Sequence, residues 1–205
     1  SASSVFAAER FDCFISSQPG FFRARTICQT QSYTSRRHGG KQMEQQYPLN
    51  GLKVLDFSRV LAGPFAGRML SDLGADVVKV EPPDGDVTRL WGHVVAGLPG
   101  YYHQQNAGKR NVCIDLRNAQ SKQLVLDLVA EADILIENYR PDVMPRLGLG
   151  FDELSKVNPR LIMLSISGFG HGGPESHRPA YAPIVHAEVG PVSYTHLTLP
   201  TIRWV

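Results

Sequence analysis

The chain has 205 residues, 42% of them hydrophobic and 20% charged, with a formal net charge of +2. That length can bury a sizeable single core, and the near-neutral balance points to neither nucleic acid nor a membrane surface as partner. No apolar run approaches the roughly 18 residues that a transmembrane helix needs.

Both ends stand apart from the middle. Residues 1–42 hold six basic residues and two acidic ones, are rich in Ser, Thr and Gln, and show no sustained periodicity. Such a head reads either as a mitochondrial transit peptide or as upstream or disordered sequence before a start at Met43. On both readings it lies outside the fold, which is expected over residues 43–190. Residues 191–205, PVSYTHLTLPTIRWV, contain no acidic residue and no cap or turn that joins them to what precedes; they read as a non-native tail. The three cysteines, Cys13, Cys28 and Cys113, form no C-x-x-C pair. A reducing compartment is therefore expected, cytoplasmic, or mitochondrial if the head is a transit peptide.

The first folded unit spans residues 51–83. Val54, Leu55 and Phe57 make a short apolar run of strand length. Gly63-Pro64 ends it, and Pro64 suits the start of a helix. Phe65, Ala66, Met69, Leu70 and Leu73 recur at helical spacing and predict the helix's buried face, with Gly74 at its C-cap. Residues 76–81, DVVKVE, predict a second strand. A helix between two strands is the crossover that parallel pairing requires, and it is right-handed. The unit thus predicts a small-molecule site in the loop between Phe57 and Phe65.

Residues 82–109 read as a long irregular loop with a short helix near 88–93. Trp91, Tyr101 and Tyr102 would pack it down or flank a flat ligand. The alternation then resumes: a strand over 111–116, a helix over 121–132, a strand over 133–137, short helices over 141–147 and 152–157, a strand over 161–166, a Gly-rich loop, and a helix over 180–187. Strands alternating with helices predict an α/β fold with a mostly parallel, doubly wound sheet.

Ligands of such sheets bind beyond the carboxyl ends of the strands. The loops after Phe57, Glu81, Leu116, Glu137 and Ile166 are the candidates. The helix start near Gly63-Pro64 suits a phosphate, and Glu81 could hold a ribose hydroxyl. That dinucleotide reading lacks the G-x-G-x-x-G pattern, since Gly63 and Gly67 stand alone four apart. Lys109, Arg110 and Arg117 could face phosphates or simply be solvated strand ends. His171, His177 and His186 lack metal-ligand spacing, and Ser58, Ser165 and Ser167 lack a G-x-S-x-G elbow.

Several segments, taken together and in order, resemble the family III CoA-transferases, which include formyl-CoA and carnitine CoA-transferases. They are PLNGLKVLDFSRVLAGPFAGRMLSDLGADVVKVEPP, NAGKRNVCIDLRN, ADILIENYRPDVMPRLGLGFDELSKVNPRLIMLSISGFGHGGP and RPAYAPIVHAEVG, covering about residues 48–190. The resemblance implies a Rossmann-like large domain plus a small domain, and two chains interlocked as a homodimer. It implies reversible transfer of CoA from an acyl-CoA to a carboxylic acid through an aspartyl-CoA intermediate. Coenzyme A or acyl-CoA is then a substrate, and no cofactor is bound permanently.

By position, the resemblance places CoA contacts at Leu61 and Ala62, at Ile114, Asp115 and Arg117, and at Asn138 and Tyr139, with Arg146 near the CoA phosphates. Pro82 stands where some members carry an Arg stacked on adenine. The family's nucleophilic Asp lies beyond residue 190, and no acidic residue follows Glu188. No catalytic residue is therefore expected within this chain, which reads as the N-terminal part of such an enzyme. An inactive CoA-binding module and an NAD-dependent oxidoreductase are the alternatives.

Overall fold

Five parallel strands form the centre of the computed structural model, which describes residues 47–95 and 97–189; the head and the tail discussed above lie outside the described residues. In chain order the elements are β1 (Lys53–Asp56), α1 (Ala62–Asp72), β2 (Asp76–Glu81), a 3-10 turn (Val87–Leu90), β3 (Val94–Val95), β4 (Leu98–Pro99), α2 (Gly100–Asn106) and β5 (Arg110–Cys113). They continue with α3 (Ala119–Glu131), β6 (Ile134–Glu137), α4 (Val143–Arg146), α5 (Phe151–Val157), β7 (Ile162–Ser165) and α6 (Ala182–Val189). The sheet order is β5-β2-β1-β6-β7, with every neighbouring pair parallel. The chain winds outward from β1 to β5, returns, and winds the other way through β6 and β7. Its direction therefore switches between β1 and β6, where a doubly wound sheet opens its ligand crevice.

Side chains alternate across a strand, and the alternation divides the core in two. Leu55, Val78, Val80, Val112 and Leu135 face α3, α4 and α5, where they meet Val125, Leu128, Val129, Met144 and Leu154. Truncating such a residue, for example Leu128→Ala, costs about 2–5 kcal/mol. On the opposite face Val54, Val77 and Ile136 pack with Ala75 and Leu70. The same parity puts Asp56 two residues after Val54, and Lys79 and Glu81 after Val77, on the α1 face. All three are at most 3% exposed. The α1 side of the sheet is thus apolar at its amino end and charged at its carboxyl end.

That charged layer decides how α1 lies, and it corrects the predicted face. The buried residues of α1 are Gly63, Pro64 and Gly67, whereas Phe65, Met69 and Leu73 are 50%, 51% and 44% exposed. With Leu61, they form an apolar ridge at four-residue spacing along the outside of the helix. A Cβ on Gly63 would lie 2.1 Å from Ser58 Cβ, and one on Gly67 would lie 2.7 Å from Asp56 Oδ2. The helix approaches the polar cluster through its glycines and turns Phe65, Met69 and Leu73 outward, while Leu70 packs on the sheet as predicted. Pro64 is the third helical residue rather than the first. Gly74, at φ +100, closes the helix as expected: its N–H bonds Ser71 O at 2.9 Å and Ala75 N–H bonds Leu70 O at 3.0 Å, the Schellman pattern.

The stretch 82–109 is more ordered than its sequence suggested. Besides the expected helical turn it contains the β3–β4 hairpin and the helix α2. At the far edge, β7 registers Ile162 with Ile134 and Leu164 with Ile136, so both fall on the α1 face. No helix among the described residues covers that part of the sheet, and Ile162 is 63% exposed. No helix of the described residues is long and apolar enough to cross a membrane.

Candidate functional site

The loop that leaves β1 is held from several sides. Asp56, at the carboxyl end of the strand, accepts the Ser58 N–H at 2.9 Å and also its hydroxyl. Its other oxygen takes Lys109 Nζ at 2.7 Å, and the same ammonium donates to Pro64 O at 2.7 Å and Asn106 Oδ1 at 3.0 Å. Burial pushes the Lys109 ammonium down to about 8, although Asp56 pulls the other way. Lys79 Nζ donates to Ser58 O at 2.8 Å and pairs with Asp86 Oδ2 at 3.2 Å. Asp86 Oδ2 also accepts the Val60 N–H at 3.2 Å. Val60, at φ +69, is the one non-glycine residue among those described in the left-handed region.

Between Ser58 and Val60, the backbone of Arg59 is claimed by Asn138 from the loop after β6. Asn138 Oδ1 accepts the Arg59 N–H and Asn138 Nδ2 donates to Arg59 O, both at 2.7 Å. This bridge lies at the β1/β6 switch point. Beyond it, Leu61 caps α1 without a side-chain bond. Ala62 and Gly63 open α1, in the first turn where helix N–H groups lack an intrahelical carbonyl.

Glu81 is occupied. Its Oε1 accepts from Tyr102 Oη at 2.5 Å, Asn111 Nδ2 at 2.7 Å and Arg89 Nη2 at 3.1 Å. Its Oε2 accepts from Arg89 Nε at 2.6 Å and the Asp86 N–H at 3.2 Å. Burial raises this carboxyl, but the bonds from Arg89 and Tyr102 and the charges of Arg89 and Lys79 outweigh it and hold the group below the usual carboxylate range. Burial likewise raises Asp86, and Lys79, Thr88 and the Val60 N–H bring it below its ordinary value. Burial and Glu81 together push the Tyr102 phenol upward. With every direction around it taken, Glu81 is not available to a ribose. Lys109 is turned inward and Arg110 pairs with Asp76, so neither serves as the solvent-facing phosphate contact that the sequence allowed. Tyr102 packs its stretch down, while Trp91 and Tyr101 sit with ring centroids 5.6 Å apart.

The residues carried over by position divide by exposure. Leu61 and Ala62 are exposed at the start of α1. Ile114 is buried in the α3-side core, its N–H bonded to Glu81 O at 2.8 Å, so only its backbone can reach a ligand. Asp115 and Arg117 form their own pair, Oδ1 accepting from Arg117 Nε at 3.0 Å and N–H at 3.1 Å. Asn138 spends its amide on Arg59. Tyr139 packs its ring on the core, and burial raises its phenol to about 12 against the pull of the Arg59 charge. Arg146 is exposed on α4 and pairs with Asp142 at 3.0 Å. The structure thus joins the loops after β1 and β6 directly. The Asp115–Arg117 pair stands over β5, and Arg146 projects from α4.

Sequence reasoning missed Asp56, Lys79 and Asp86. The available signal was a Lys in the middle of the Val-rich strand DVVKVE, a charge that a central strand buries only with a partner. Among the described residues no group of three His, Cys, Asp or Glu could hold a metal ion.

The five-stranded parallel sheet is doubly wound, and the loops that leave β1 and β6 are bridged at its switch point. The profile of CoA-transferase family III matches residues 49–201, and the chain belongs to that family. The match runs past Gly190, where the motif resemblance stopped. The acetyl-CoA:oxalate CoA-transferase of Acetobacter aceti is 46% identical over 144 residues, 70% of this chain and 37% of the relative. The human succinyl-CoA:glutarate CoA-transferase is 39% identical over 155 residues, 75% of this chain and 35% of the relative. Among solved structures, a CAIB/BAIF family protein from Brucella suis has a TM-score of 0.67 at 46% identity, covering 70% of this chain and 39% of that one. Rv3272 from Mycobacterium tuberculosis has a TM-score of 0.68 at 41% identity, covering 75% and 43%. The chain therefore spans little over a third of the length of the curated relatives it matches.

Proposed function

We propose that this chain supplies the acyl-CoA-binding wall of a family III CoA-transferase, an enzyme that moves CoA from an acyl-CoA to a carboxylic acid. One observation carries the reading: of the eight positions assigned to CoA by resemblance, all but Arg146, which lies on α4, follow the carboxyl ends of β1, β5 and β6 in one sheet. There the Ala62 and Gly63 N–H groups and the side chains of Arg59 and Arg117 offer donors to the diphosphate of CoA. Leu61 and Ala62 give an apolar surface beside them. Asn138 acts through the Arg59 backbone, and Ile114 through its own.

In the reaction, a carboxylate attacks the thioester carbonyl and expels CoA thiolate, leaving a mixed anhydride. The thiolate then attacks the enzyme-derived carbonyl of the anhydride, which releases the donor acid and leaves an enzyme acyl-CoA thioester. The acceptor carboxylate reverses the two steps. The resemblance assigns the attacking Asp to none of residues 48–190. The test is an exchange assay of the 205-residue chain beside the full-length acetyl-CoA:oxalate CoA-transferase of Acetobacter aceti, with acetyl-CoA and oxalate. CoA binding by both, with turnover by the reference enzyme and none by the 205-residue chain, is expected. Turnover by the 205-residue chain would refute the absence of the nucleophile from residues 48–190, and a folded chain that takes no CoA would refute the site.

A further inference from the structure

We propose that Lys79 and Asp86 are positioning residues for acyl-CoA binding: their buried pair holds Val60 in its left-handed conformation and so sets how Leu61 and Ala62 meet the ligand. The proposal rests on the acyl-CoA reading of the site. A β-branched residue at positive φ is a conformational outlier that persists only where its surroundings over-determine it. Val60, at φ +69, is such a residue. What over-determines it is visible on both sides. Lys79 Nζ holds Ser58 O at 2.8 Å, and Asp86 Oδ2 holds the Val60 N–H at 3.2 Å. Asn138 fixes Arg59 between them. Three consecutive residues thus have their backbones bonded by side chains from β2, the loop after β2 and the loop after β6.

The pair is also out of place as a stabilising device. Lys79 and Asp86 side chains are each 1% exposed and 3.2 Å apart. A buried ion pair costs desolvation, and apolar replacements of both partners are often no less stable. Its bonds go to loop backbone, which is where a positioning role would put them. The loop it fixes leads directly into Leu61, the uncapped entry to α1, at φ −129 and ψ −67. A shift at Val60 would move Leu61 and the Ala62 and Gly63 N–H groups together.

The test compares the full chain with Lys79→Met/Asp86→Asn, which removes both charges and keeps a capping side chain at residue 86 for Thr88. Two readouts are taken, CoA affinity by calorimetry and amide hydrogen exchange at Val60. The double variant should lose about tenfold in CoA affinity, and its Val60 amide should exchange at least about tenfold faster while Leu135 and Ile136 stay protected. Adding Val60→Gly, which adopts positive φ without steric cost, should restore most of the affinity. Unchanged affinity and unchanged Val60 exchange, or no rescue by the glycine, would overturn the proposal. Should the double variant not fold, Asp86→Asn alone is read by the same two measurements. A folded wild-type chain that takes no CoA would refute the ligand reading, while Val60 exchange still decides the clamp.

Discussion

Asn138 and Arg59 close a reciprocal pair of hydrogen bonds, each 2.7 Å, between the loops that leave β6 and β1. The two strands are neighbours in the sheet, yet the chain runs through β2, β5 and α3 between them. One amide therefore ties together the two halves of the doubly wound fold at the crevice. Asn138→Asp keeps an acceptor, loses the donor to Arg59 O, and places a negative charge beside the proposed diphosphate site. It should weaken CoA binding about tenfold or more and lower stability by about 1–2 kcal/mol. Titration calorimetry and urea unfolding check the two effects. Retained affinity would remove Asn138 from the site.

Gly67 is a packing glycine. An alanine Cβ there would lie 2.7 Å from Asp56 Oδ2 and 3.2 Å from Lys109 Nζ, and it would pry α1 off the sheet or break the Asp56–Lys109 pair. Gly67→Ala should destabilise by about 1–3 kcal/mol. Gly173→Ala, with nothing within 4 Å of its Cβ position, should stay within about 0.5 kcal/mol. Urea midpoints of the two variants decide. Equal midpoints would contradict the close approach of α1.

The pH dependence of stability follows from the buried carboxylates. Glu81 and Asp86 are held below ordinary carboxylate values in the fold. Unfolded, they bind protons at about pH 4. Their contribution is fully present above that range and is lost as pH falls through the depressed native values. Lys109 acts at the other end. Its native value of about 8 lies below that of an ordinary lysine, so the unfolded chain binds more protons between the two, and this contribution grows from about pH 8 upward. The raised phenols of Tyr102 and Tyr139 oppose it above about pH 10. Urea midpoints across pH 3 to 10 should fall on the acid side, and Asp86→Asn should flatten that fall. An unchanged acid slope in the variant would contradict the assignment.

The apolar ridge of α1 and the bare face of β7 should favour association of the 205-residue chain. Phe65, Met69 and Leu73 line the helix, and Ile162 the sheet edge. Contiguous exposed apolar surface promotes association. Met69→Lys together with Ile162→Thr should raise the soluble yield of the 205-residue chain and leave CoA affinity unchanged, as read by sedimentation and calorimetry. A wild-type chain that is monomeric and freely soluble at high concentration would contradict this reading of those surfaces.

The strands and their parallel pairing were legible because apolar β-branched runs alternate with helical segments bounded by Gly and Pro. DVVKVE and its strand bounds, Gly74 as a helix end, and the carboxyl-edge loops all follow from local pattern. The facing of α1 was not legible. Periodicity finds an apolar stripe but not what lies opposite, and here the opposite layer is charged, so glycines face it. The α2 helix was hidden because GYYHQQN has neither a capping side chain nor an apolar stripe. The inward turn of Lys109 and the pairing of Arg110 were equally hidden, since their partners Asp56 and Asp76 are 53 and 34 residues away. The candidate CoA positions came from resemblance to a family; in the structure Leu61, Ala62, Arg117 and Arg146 face solvent, while Asn138 holds the Arg59 backbone.

The central claim is that the carboxyl edge of this sheet binds CoA. It is tested most directly by titrating CoA and NAD separately into the folded 205-residue chain and into its Arg59→Glu variant. Saturable binding of one CoA per chain, weakened about tenfold or more by Arg59→Glu, with no heat from NAD, is the predicted result. A folded chain that takes no CoA, or that binds CoA equally well with Glu at position 59, would contradict the account.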